Sequence, residues 1–196
     1  MPYLPQARVW RTYDANLAKA ETALSKLSIS SGAKPTFNGL TGWVFEQTIR
    51  QCIRAELKAR RLSPPILEQA GLGKRGKADL MVGNVAIEIK LSGVFSQPAI
   101  ARYARYAAEA RATGVHYLYI AGGESYQNYR DDVAEAFGPD NVFFLDRPGQ
   151  WARFTERLAR LLITQASASR PAATRTPRSG LTTRSSRLGG PALVSW

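Results

Sequence analysis

Apolar and polar positions recur along this chain with two periods. In "TGWVFEQTIRQCIRAELKARR" (41–61), Phe45, Ile49, Cys52, Ile53 and Leu57 return every three or four residues, which predicts a helix with one apolar stripe. Ser63-Pro64-Pro65 stops it. "PILEQAG" (65–71) predicts a short, weak strand and "GLGKRGK" (71–77) a basic glycine loop. "ADLMVG" and "VAIEIKLS" predict two strong strands joined by Gly83-Asn84. Ser96 caps a helix from Gln97 to Thr113, with an Ile100, Ala104, Ala107 stripe, and Gly114 ends it. "VHYLYIAGG" then predicts a buried strand, "SYQNYRDDVAEAFG" a helix, "NVFFLD" a strand and "GQWARFTERLARLLI" an amphipathic helix. Before these, Leu17, Ala20, Leu24 and Leu27 have helical spacing within 14–28, and "SSGAKPTFNG" reads as a loop. The order from residue 41 is α-β-β-β-α-β-α-β-α, without internal repeats. It predicts one α/β domain over 41–164, a mixed central sheet flanked by helices, preceded by a helical or extended extension over 1–40.

Three charges interrupt the apolar hairpin. If Gly83-Asn84 is a two-residue turn, Val82 faces Val85 and Asp79 falls opposite Glu88. Lys90, two residues on, shares their face with Met81 and Ala86. Leu80, Val82, Val85, Ile87, Ile89 and Leu91 make the other face, which must be core. Opposed carboxylates repel, and one lysine offsets only part of that. A divalent cation would balance the rest, and oxygen ligands favour magnesium or manganese over zinc. A solvated face with a Glu–Lys contact is the alternative, although Met81 and Ala86 are unlike a freely solvated surface. Glu46 falls inside the apolar stripe of the 41–61 helix, where an acid needs a partner. Glu56 projects into the same stripe, so helical phase alone does not choose. Glu46 is nearer the helix start, where the dipole also favours a carboxylate.

Composition narrows the chemistry. The 196 residues carry a net charge of +12, which points to a polyanionic partner, most often nucleic acid. A membrane surface is the rival, but no basic helix has a broad exposed apolar face. Five of the positive charges (Arg170, Arg175, Arg178, Arg184, Arg187) lie in a Ser-, Thr-, Pro- and Gly-rich stretch over 165–196 without acids. That stretch reads as a disordered basic tail, either a non-specific DNA tether or an inert terminus. The single cysteine, Cys52, excludes an internal disulfide framework and a thiolate zinc cluster. The single histidine, His116, argues against Ser-His-Asp and two-histidine metal chemistry. With no apolar run near ~20 residues and no signal-type start, no membrane partner and a cytoplasmic location are the expectation.

Glu46, Asp79 and Glu88-Ile89-Lys90 together resemble the PD-(D/E)xK nuclease superfamily, the restriction endonuclease-like and Holliday junction resolvase-like proteins. That pattern places an acid on a first helix, an acid on the second core strand and E-x-K on the third, in an α-β-β-β-α-β core. The match covers about residues 40–122, with Ala78 where the family name has proline. The resemblance implies a restriction endonuclease-like fold and Mg²⁺-dependent hydrolysis of DNA phosphodiesters, with Mn²⁺ as a substitute. It implies that Asp79, Glu88, Glu46 and the main-chain carbonyl of Ile89 hold the ion. It further implies that Lys90 orients the attacking water and stabilises charge on the phosphate. Gln97 is similar in placement to a polar helix residue that some members add to the site. Its spacing to Tyr103 does not fit the glutamine-tyrosine motif of the exonuclease branch. Lys74, Arg75 and Lys77 before Asp79, and Arg102 and Arg105 on the following helix, are candidate DNA contacts or else ordinary solvated charges. "GLGKRG" also fits G-x-G-x-x-G and nearly a P-loop, but a strand follows where both motifs need a helix. His116 and Cys52 read as structural. The expected function is a Mg²⁺-dependent endodeoxyribonuclease, a homodimer if it cuts both strands. The alternatives are a non-catalytic DNA-binding module of the same fold and a basic scaffold protein acting through its tail.

Overall fold

The structure, a computed structural model, describes residues 5–31, 39–72, 76–93, 96–123 and 127–168. Its elements are α1 (Gln6–Ser31), α2 (Leu40–Ala59), β1 (Ile66–Leu72), β2 (Gly76–Val82), β3 (Val85–Lys90), α3 (Gln97–Ala112), β4 (His116–Ala121), α4 (Gln127–Phe137), β5 (Val142–Phe144) and α5 (Gln150–Ala168). The five strands lie side by side in chain order. β1, β2 and β3 are antiparallel neighbours, whereas β3, β4 and β5 are parallel. The α/β class and the mixed sheet therefore stand as expected.

Alternation along the strands sorts side chains between two cores. Val85, Ile87 and Ile89 of β3, Leu118 and Ile120 of β4 and Phe143 of β5 join α1, α2 and α5 in one cluster. Ala86 of β3, Tyr117, Tyr119 and Ala121 of β4, and Val142 and Phe144 of β5 join α3 and α4 in the other. Both parallel connections run through a helix, α3 and then α4, as parallel pairing requires.

The helix ends follow local chemistry. Gly114 adopts φ 73° after α3, and Val115 N–H reaches back to the Ala110 carbonyl at 2.9 Å, the closure that glycine permits. α2 ends in the same closure, Leu62 N–H to the Leu57 carbonyl at 2.9 Å, but with Arg61 at φ 57° where glycine is usual. On α3 the buried stripe is Ile100, Tyr103, Ala107 and Ala110, so Tyr103 takes the core place expected of Ala104.

α1, from the segment before residue 40, packs into the domain core. α1 begins well before the 14–28 expectation, and Val9 and Tyr13 are buried in the α2 core. The Gln6 side chain donates to the Leu145 and Arg147 carbonyls at 2.6 and 2.8 Å and accepts the Trp151 N–H at 3.1 Å. These bonds pin the start of α1 to the β5–α5 turn. α5 runs to Ala168, past the expected boundary at 164. The basic tail from residue 169 onward lies outside the described residues.

Gly122 fixes how closely α2 approaches the ends of β3 and β4. A β-carbon there would stand 2.8 Å from the Phe45 ring and 3.0 Å from the Leu91 carbonyl oxygen. That close approach sets Glu46, next to Phe45, over the open end of the hairpin.

Candidate active site at the open end of the hairpin

The β2–β3 register is the expected one: Val82↔Val85, Met81↔Ala86 and Leu80↔Ile87, closed at Gly83 with φ 59°. The ladder then ends, so Asp79 and Glu88 are not a ladder pair as the extended register predicts. Instead Asp79 turns its carboxylate into the gap, and its Oδ2 accepts the Ile89 N–H at 2.8 Å. A side-chain oxygen thus satisfies a β3 amide that faces β2. On the other side of β2, pairing with β1 skips Gln69, opposite Asp79, and Gln69 takes φ 48°. Such a value is uncommon outside glycine and marks a local distortion. Asp79 therefore drops out of regular pairing on both sides.

Lys90 joins the two acids. Its Nζ lies 3.1 Å from Asp79 Oδ2 and 2.6 Å from Glu88 Oε1. Glu88 is 4% exposed, and its Oε2 accepts the Tyr117 hydroxyl at 2.9 Å. Burial pushes the Glu88 pKa up; Lys90 opposes this, Asp79 adds to it, and the hydrogen bonds from Lys90 and Tyr117 oppose it. Burial alone would lower the Lys90 pKa, but Glu88 and Asp79 reverse that and raise it, keeping the ammonium charged. The Tyr103 ring centroid of α3 lies 5.9 Å from that ammonium, within cation–π range.

Glu46 approaches from the α2 side. It lines a cleft of about 160 Å³ with Asp79, Ile89, Trp43, Arg50 and Gln69. Its pKa is raised by burial, then by Asp79, with Lys90 opposing and Glu88 adding. Those interactions separate it from Glu56, which helical phase could not. Glu56 is buried and bonds Arg60 at 3.1 Å along the helix.

The donor set suits a hard cation. Glu46 and Asp79 line one cleft with Ile89, and the ligand atoms these three residues offer are oxygens. The Ile89 N–H is committed to Asp79, which leaves its carbonyl as the candidate ligand. Glu88 does not line that cleft, and the Lys90 ammonium bridges it to Asp79. For Glu88 to share an ion with Asp79, the ammonium has to leave the space between them. Among the described residues no three acidic, histidine or cysteine side chains form a ready cluster.

The remaining candidates divide. The Gln97 amide donates to Asp132 of α4 at 2.6 Å, at the exposed start of α3, and is not brought to the trio. Arg102 is exposed beside it, its guanidinium 5.2 Å from the Tyr103 ring centroid and 3.5 Å from the Tyr103 hydroxyl. Arg105 is exposed one turn on, over Tyr106 at 5.6 Å. Lys77 is exposed on β2. Lys74 and Arg75 lie outside the described residues. His116 is exposed at the start of β4, paired with Val85 at the turn end of β3. Cys52 is buried in the core, and burial pushes its thiol up to about 11. Neither is brought to Asp79, Glu88 and Lys90.

Two neighbours of the candidate site escape the sequence pattern. Tyr117 reads as an ordinary strand aromatic, and only the β3–β4 register brings its hydroxyl to Glu88. Arg50 reads as a solvated helix charge, yet it pairs with Glu68 of β1 and with Gln47 one turn back on α2.

No protein-family model, curated protein or solved structure matches this chain.

Proposed function

We propose that the protein is a metal-dependent nuclease that hydrolyses DNA phosphodiester bonds, with a restriction endonuclease-like core over α2 to β4. The observation that carries this reading is the Lys90 ammonium, 2.6 and 3.1 Å from two carboxylates, at a break in the sheet that opens beside Glu46. A purely structural ion pair needs one acid for one base. Here two acids bond one lysine beside a cleft lined by a third, Glu46, in a chain of net charge +12.

Asp79 and Glu46, with the Ile89 carbonyl, would hold Mg²⁺ or Mn²⁺, and Glu88 would join them once Lys90 turns outward. The ion would offset phosphate charge and lower the pKa of bound water. Lys90, freed toward the cleft, would place its ammonium against the phosphate and stabilise charge that develops there. Tyr117 holds Glu88 in place through the hydroxyl bond. Asp79 keeps the gap open, because its carboxylate substitutes for ladder pairing. Arg102 and Arg105 would hold neighbouring phosphates.

Supercoiled plasmid, linear duplex, single-stranded DNA and a four-way junction, each with Mg²⁺ or EDTA, test the reading. Cleavage is expected with Mg²⁺ alone, lost in Asp79→Ala, and slowed about 100- to 1,000-fold in Lys90→Ala, the cost typical of a group that stabilises transition-state charge. Failure to cut all four DNAs, with binding unchanged in both variants, would transfer the fold to a non-catalytic DNA-binding role. Binding that depends only on residues 165–196 would transfer it to the scaffold role.

A further inference from the structure

A groove of about 710 Å³ between α1 and α2 is larger than the carboxylate cleft. Leu24, Leu40 and Trp43 line it with apolar surface, and Lys19, Arg50 and Arg54 with basic groups. No acidic side chain lines it among the described residues. Trp43 is 56% exposed, an unusual state for the largest apolar side chain. Trp43, Gln47 and Arg50 line the carboxylate cleft as well, so the two depressions meet. Beyond Arg54, the exposed Lys58 and then Arg61 border a third depression of about 410 Å³. Arg50, Arg54 and Lys58 follow each other at four-residue steps, about 6 Å apart along the helix axis. A line of positive charge thus leads away from the cleft along the helix that carries Glu46.

We propose that this groove seats unpaired DNA next to the reacting phosphate, with a base stacked on Trp43 and the backbone following Arg54, Lys58 and Arg61. The proposal rests on the nuclease reading and names its substrate class: DNA with a single-stranded segment at the cut, such as an overhang, flap or junction arm, rather than uninterrupted duplex. An exposed aromatic beside a cationic track is the arrangement that holds single strands without sequence preference, because every base offers a flat face. The groove meets the carboxylate cleft at Trp43, so a strand leaving the cleft enters it directly. Its positive charge suits a phosphate backbone. It does not suit a second copy of this basic chain.

Binding of labelled oligothymidylate, oligouridylate and blunt duplex to the full chain in EDTA, over a salt series, tests this. The chains compared are the wild type, Trp43→Ala, Trp43→Phe, Arg54→Ala/Lys58→Ala and Lys90→Ala. Trp43→Ala is expected to weaken oligothymidylate about tenfold and to leave duplex unchanged, and Trp43→Phe to keep most of the affinity. Arg54→Ala/Lys58→Ala is expected to flatten the salt dependence by about 1.4 in log–log slope, about 0.7 for each phosphate no longer neutralised. Unchanged oligothymidylate affinity in Trp43→Ala overturns the proposal. So does equal weakening of duplex, or tighter binding of oligouridylate. A dimer dispersed by Trp43→Ala, with oligothymidylate affinity intact, assigns the groove to a second copy and also overturns it. Tryptophan-dependent binding of single strands by a protein that cuts nothing supports the groove and removes the nuclease reading alone.

Discussion

The two faces of the sheet are built from different side chains. Against α1, α2 and α5 the strands present Leu80, Val82, Val85, Ile87, Ile89, Leu118, Ile120 and Phe143. Against α3 and α4, β2 to β4 present mainly alanines and tyrosines, Ala78, Ala86, Ala121, Tyr117 and Tyr119, and β5 adds Val142 and Phe144. The first face has no polar group to offer a carboxylate. The second combines small residues, which leave room, with hydroxyls, which can donate. Glu88 is buried on the second face, and Tyr117 donates a hydrogen bond to its Oε2. The aliphatic face stabilises the sheet, and the tyrosine face makes a buried acid tolerable. Asp79 and Glu46 stand where the sheet opens between them.

The largest stability effect is expected on the aliphatic face. Ile87 is fully buried there, and Ile87→Ala should lower unfolding free energy by about 3 kcal/mol in urea titrations. Activity per folded molecule should stay near wild type. An equal loss of activity per folded molecule would break the division of labour between the faces.

A smaller effect is expected on the tyrosine face. Tyr117→Phe leaves a buried Glu88 oxygen without its donor, at a cost of about 1–3 kcal/mol. Tyr117 favours the charged carboxylate, so its loss should shift the acid limb of DNA cleavage to higher pH. Tyr106→Phe, on a partly exposed ring of α3, is the control and should shift nothing.

The smallest effect is a pH slope in the wild type. Burial and neighbouring acids raise the folded pKa of both Glu46 and Glu88. The folded protein then binds more protons than the unfolded chain between the ordinary glutamate pKa, about 4.3, and the raised values. Their contribution to stability is fully present below that window and is lost as pH rises through it. Urea midpoints measured in EDTA should therefore fall across the window. Glu88→Gln should reduce the slope. A slope unchanged by Glu88→Gln would remove the burial of Glu88 as its cause.

The hairpin is legible because its information is local. Period-two apolarity, a Gly-Asn turn and β-branched residues specify strands, turn and register through contacts only a few residues apart. The acid set follows from that register, apart from one step. Asp79 and Glu88 do not face each other as a pair, because the Asp79 carboxylate takes the Ile89 amide and the ladder ends. A choice between side-chain and main-chain acceptors leaves no periodic trace. Gln97 departs from its expected place for a similar reason: its position on α3 is local, but its partner, Asp132, comes from α4.

Residue type and short spacing were enough to set the element order, the β2–β3 register, the burial of one hairpin face and the excess of positive charge. Packing made the choice between Glu46 and Glu56, which share a helical stripe and differ only in what stands opposite. It also put Tyr117 on Glu88, Arg50 on Glu68 and Trp43 at the meeting of groove and cleft. Each of those contacts joins segments that are distant in the chain, and their geometry exists only once helices pack on the sheet.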